Sequence, residues 1–100
     1  MITKKLLPVG SIVLLKDSTK KLVVVGVLQA KPGSLERVYD YCGCLYPEGY
    51  LEAEKFFLFD EEQIEEICFM GFSNEEQEEF ERRVREVIKK LVNDKADRRT

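Results

Sequence analysis

The sequence predicts an α+β fold: a small, curved, barrel-like antiparallel sheet of four or five strands, followed by a long C-terminal amphipathic helix. Three observations carry this. β-prone runs separated by polar turns fill the first two-thirds of the chain. Arg37 to Tyr46 places bulky side chains on both faces of one strand, which calls for a curled sheet. A single apolar stripe at helical spacing then closes the sequence.

Ser11 to Lys16 and Leu22 to Leu28 are rich in Val, Ile and Leu, with Asp17-Ser18-Thr19-Lys20 between them. Two β-prone runs joined by a short polar turn are a hairpin signal. Lys31-Pro32-Gly33-Ser34 is a second turn. Arg37 to Tyr46 follows as a third strand, with Tyr39, Tyr41 and Leu45 on one face and Val38, Cys42, Cys44 and Tyr46 on the other. Tyr46-Pro47-Glu48-Gly49 reads as a β-turn with proline at its second position. Phe56 to Phe59 is a short apolar run. Asp60-Glu61-Glu62-Gln63 has the pattern of a capping box and predicts one helical turn. Glu66 to Met70 alternates back to strand.

Ser73-Asn74-Glu75-Glu76 is a helix start. Beyond it, Phe80, Val84, Val87, Ile88 and Leu91 form the stripe, and this whole face is expected to be buried on the sheet or on a partner. Glu75, Glu76, Glu78 and Glu79 lead the helix and Lys89 and Lys90 end it, an order that complements the helix dipole. Residues 1–92 read as a single domain, with a polar tail over 93–100 that frays.

The chain has 100 residues, 44% hydrophobic and 35% charged, the balance of a globular domain rather than a disordered one. Its longest apolar stretches, such as Leu22 to Leu28, fall well short of the ~20 residues of a membrane helix. The apolar run near the N-terminus is cut by Pro8 and Gly10, and no small-residue cleavage site follows it, so the expected location is the cytoplasm.

The net charge of −3 is unevenly spread. Residues 1–50 carry 7 basic against 4 acidic groups, residues 51–81 carry Lys55 alone against 12 acids, and residues 82–100 carry 8 basic against 3 acidic groups. So acidic a middle segment disfavours nucleic acid as the main partner.

The chain contains no histidine. Imidazole acid/base catalysis, Ser-His and Cys-His nucleophiles and histidine metal ligation are therefore excluded. Cys42-Gly43-Cys44 invites a redox or metal reading, but a C-x-C in a strand points both sulfurs to one face without disulfide geometry. Only Cys68 remains as a further thiol ligand. The expectation is three free, buried, structural cysteines. Glu61/Glu62 and Glu65/Glu66 have the makings of a carboxylate pair or hard-cation site, against the plainer reading of solvated charged faces. The six glycines match no phosphate-binding loop and read as turn and bulge positions. No enzymatic activity, cofactor or metal is expected.

Tyr39, Tyr41, Tyr46, Tyr50, Phe56, Phe57 and Phe59 crowd into 21 residues. Most must be core, yet tyrosines left on a sheet surface are favoured protein-binding anchors. The candidate partner surface is Tyr39, Tyr41, Tyr46 and Tyr50, with Glu61 and Glu62 steering a basic partner. A sheet this aromatic is also able to stack RNA bases.

Three stretches resemble one small family. They are Leu7-Pro8-Val9-Gly10-Ser11-Ile12-Val13-Leu14-Leu15-Lys16, then Lys20-Lys21-Leu22-Val23-Val24-Val25-Gly26, then Tyr39-Asp40-Tyr41-Cys42-Gly43-Cys44-Leu45-Tyr46-Pro47-Glu48-Gly49-Tyr50. That family is a domain of unknown function found in Gram-positive bacteria, often beside genes for LXG-type toxins of the type VII secretion system. The resemblance covers residues 6–72 and implies a cytoplasmic chaperone or targeting factor that binds such a toxin before export. It implies no catalytic residues. An immunity protein that neutralises a toxin is the alternative from the same setting, and an RNA-binding small barrel the alternative from another class. Self-association is left open.

Overall fold

A computed structural model describes residues 1–31, 33 and 37–98, with the backbone alone from residue 94. Five strands form one antiparallel sheet: β1 (Ile12–Leu15), β2 (Lys21–Ala30), β3 (Val38–Leu45), β4 (Phe57–Phe59) and β5 (Ile64–Phe69). Their spatial order is β4-β3-β2-β1-β5. The first four strands are a meander, and β5 returns to the far side of β1. The helix α1 (Glu75–Arg98) follows. Fold class and strand number match the sequence reading.

The connection from β4 to β5 dictates the curvature. These are the two edge strands, and only Asp60 to Gln63 separate them in the chain. In a flat five-stranded sheet the edges lie about 19 Å apart. A single 3₁₀ turn over Glu61–Gln63 rises only about 2 Å per residue. The sheet must therefore curl until its edges approach at this end, although β4 and β5 do not pair and it stays open. The turn is fixed as the capping pattern predicts: the Gln63 side chain accepts the Asp60 N–H at 2.8 Å.

The core is Val13, Leu22, Val24, Tyr41 and Phe59 from the sheet, Val84 from the helix, and Ile2, Leu6 and Leu7 from the N-terminal arm. The arm closes the sheet's inner face, and α1 clasps the arm. Arg85 donates to the carbonyl of Ile2 at 2.6 Å and to that of Lys4, and Glu81 accepts the Leu6 N–H at 3.4 Å. Gly71 lets the chain pass close to the start of β1. A Cβ there would lie 2.7 Å from the Val9 carbonyl oxygen, so any side chain would force the strands apart. The Gly71 N–H donates to the Ser11 hydroxyl at 2.9 Å.

Two readings need correction. The turn after β3 closes from the Gly49 N–H to the Leu45 carbonyl at 2.7 Å, one residue wider than the expected β-turn, because Leu45 and Gly49 themselves bridge. The helix backbone runs on to Arg98. Pro32 and Ser34 of the second turn lie outside the described residues. The helix face is also rotated. Val84 is buried and Ile88 packs on the core, but Phe80 and Val87 are 43% and 45% exposed. The tethers at Glu81 and Arg85 turn the helix so that their side of the stripe faces the arm.

This rotation sets the order of the mutational effects on the helix. Val84→Ala should cost about 2 kcal/mol, the loss of two buried methyl groups plus a cavity. Phe80→Ala should cost about 1 kcal/mol or less. Urea denaturation of both variants reads the order directly.

Candidate functional site

β3 and β4 pair with Tyr41 opposite Phe59, Cys42 opposite Leu58 and Gly43 opposite Phe57. Tyr41, Gly43 and Phe59 are buried. The Tyr41 and Phe59 rings stack with centroids 5.7 Å apart. Gly43 makes room for them: a Cβ there would meet the Phe59 ring at 3.2 Å and the Val23 carbonyl at 3.0 Å. Gly43 is thus a close-packing residue, not the turn or bulge position expected. Gly26 does sit at a bulge in β2.

Cys42 and Cys44 share a surface with Val25 of β2, and together they floor an open cleft of about 1200 Å³. The walls come from Tyr39, from Phe57 and Leu58 of β4, and from the segment after the Leu45–Gly49 turn, which brings in Tyr50 and Phe56. Tyr50 packs on Phe56 with centroids 5.4 Å apart. Tyr39 is covered by the Arg37 guanidinium, 4.4 Å from its ring centroid. The rim bears Lys31 and Glu54. Burial, aided by the neighbouring Cys44, pushes the Cys42 thiol up, away from the reactive thiolate form. All three cysteines are free. Cys44 is buried as expected, Cys42 only partly, and Cys68 is exposed, because it lies on an uncovered edge strand.

The cleft gathers some of the candidate partner residues and not others. Tyr39 and Tyr50 line it. Tyr46 lies outside its lining, 42% exposed beside the turn. Tyr41 belongs to neither group: it is 1% exposed, and its hydroxyl accepts the Leu7 N–H at 3.1 Å. It cannot touch a partner, because the inward face of β3 is the core face.

Glu61 is likewise structural. Its carboxylate accepts the Thr3 N–H at 3.1 Å, the Thr3 hydroxyl at 2.9 Å and the Lys4 N–H at 2.8 Å. Burial alone would raise its pKa, but the donors from Lys4 and Thr3 and the charge of Lys4 outweigh it, holding the carboxyl below its usual range. The Glu61 N–H in turn donates to Asp40 at 2.9 Å. Burial raises the pKa of Asp40, which is 3% exposed. Asp60 accepts the Asp40 N–H at 3.1 Å and pairs with Arg37 at 2.6 Å. Glu61, read as solvated, and Asp60, read as a helix cap, are therefore struts between the turn, β3 and the arm. Glu62 remains exposed.

Sequence reasoning missed Phe56, Phe57 and Val25 as cleft residues. Phe57 carried no usable signal: alternation puts it on the face of buried Phe59 and away from Leu58, yet it is 43% exposed and lines the cleft. Val25 carried none, because its outward turn follows from the bulge between Val24 and Gly26.

Among the described residues, no three Cys, Asp or Glu side chains group to hold a metal, and no helix is long and apolar enough to cross a membrane. The fold and cleft together define a small α+β domain: a curved, open antiparallel sheet, sealed by an N-terminal arm and helix, presenting an aromatic concavity to solvent. The chain belongs to the family described as Domain of unknown function (DUF4176), whose model matches residues 6–80, from the arm through the first turns of α1. No curated protein and no solved structure matches it.

Proposed function

We propose that this protein is a non-catalytic accessory factor that binds another protein through the aromatic cleft. The partner is an LXG-type toxin of type VII secretion, held in the cytoplasm before export. The observation that carries the binding role is the exposure of Tyr50 (67%) and Phe57 (43%) around one apolar concavity. Rigid aromatic rings with polar tips are how interface hot spots are often built. The toxin as partner rests on the family resemblance of the Tyr39 to Tyr50 stretch.

Calorimetric titration with an LXG-type toxin of the same organism tests this. Tyr50→Ala should weaken binding by about 2 kcal/mol, or roughly thirtyfold, at unchanged thermal stability. Binding that is untouched by Tyr50→Ala and Phe57→Ala would remove the cleft from the interface. Binding confined to the toxic part, with protection of cells from it, would favour the immunity reading instead. RNA capture that depends on Tyr50 would favour the nucleic-acid reading.

A further inference from the structure

We propose that α1 is also a self-association surface, pairing antiparallel with α1 of a second copy of this chain. The helix leaves an apolar flank uncovered. At 3.6 residues per turn, Phe80 and Val87 lie about 50° round the axis from buried Val84. They are two turns apart and almost half exposed. Part-buried Leu91 lies between the two flanks, so a stripe of Phe80, Val84, Val87 and Leu91 has heptad spacing, with only one side of it used by the arm.

The charges beside this flank select the occupant and its direction. Glu76, Arg83 and Lys90 are exposed at successive heptad positions along the same edge. In an antiparallel pair with Phe80 of one copy near Val87 of the second, Glu76 falls beside Lys90 of the second copy. The two-fold axis makes that contact twice. Arg83 nears its own copy at the axis, where each guanidinium is already partnered by Glu79 of its own helix at 3.7 Å. A parallel pair would instead bring this edge against the edge of the second copy that carries Glu81, setting the Glu76 carboxylate beside another carboxylate. Antiparallel pairing also opposes the two helix dipoles favourably. Acidic first turns and a basic later half thus make the helix complementary to itself in one direction.

Sedimentation equilibrium from micromolar to near-millimolar protein tests the proposal. The wild type should move from the 11.6 kDa chain mass towards twice that value. Phe80→Glu should hold it at the monomer mass. Glu76→Lys and Lys90→Glu should each raise the dissociation constant by about tenfold, and the double variant, which restores both contacts with the signs exchanged, should return it to the wild-type value. All three side chains are exposed, and circular dichroism checks that each variant is folded. A wild type that stays monomeric throughout, a dimer indifferent to Phe80→Glu, or a double variant no better than the singles would each overturn the proposal.

Discussion

Tyr41→Ala should destabilise the protein by about 3 to 5 kcal/mol, enough to unfold much of a small domain at physiological temperature. The ring is buried against Phe59, so its removal opens a cavity. The hydroxyl also holds the Leu7 N–H of the arm, and that donor would be left unpaired in the core. Tyr41→Phe separates the two effects, and should cost about 1 to 3 kcal/mol for the stranded N–H alone. Urea denaturation gives both values. An alanine variant within 1 kcal/mol of wild type would mean that the arm and β3 are not packed as described.

Glu61→Lys is the second large effect. It removes three hydrogen bonds to Thr3 and Lys4 and places one ammonium beside another. The expected loss is about 2 to 3 kcal/mol. Glu62→Lys, one residue on and exposed, should stay within about 0.5 kcal/mol of wild type. The same carboxylate has a pH signature. Its folded pKa lies below the ordinary value of 4.5, so its contribution is fully present above that value. It is lost as the pH falls through the folded pKa. Asp40, whose pKa is raised from 3.8, works in the opposite sense over the same acid range. Subtracting the stability profile of Glu61→Gln from that of the wild type isolates the Glu61 part, which should shrink below about pH 4. A flat difference would show that the arm is not held by this carboxylate.

The strands, the capped turn and the helix start were legible because each rests on local chemistry: alternation, Asp60 before Gln63, and Ser73-Asn74 before four glutamates in five residues. What local chemistry cannot show is which side of a two-faced strand becomes the core. Tyr41 and Tyr39 share a face by parity, yet Tyr41 is buried and Tyr39 lines the cleft. The arm decides this by covering Tyr41, and the pattern Ile2, Leu6, Leu7 gives no periodic signal of its docking. Glu61 was misread for the same reason: its three donors lie 57 or 58 positions away in the chain. The rotation of α1 depends on Arg85 reaching Ile2, which no reading of the helical stripe alone contains.

That last contact joins residues 83 positions apart, and it has a consequence for synthesis. A nascent chain emerges N-terminus first, so Ile2, Leu6 and Leu7 leave the ribosome long before the helix that clasps them. Until Val84 and Arg85 emerge, the inner face of the sheet lacks its seal. Contacts of such long range are slow to form and leave apolar surface open to aggregation in the interval. The domain thus completes its core only once Val84 and Arg85 have emerged, and until then its solubility rests on whatever shields that unsealed face.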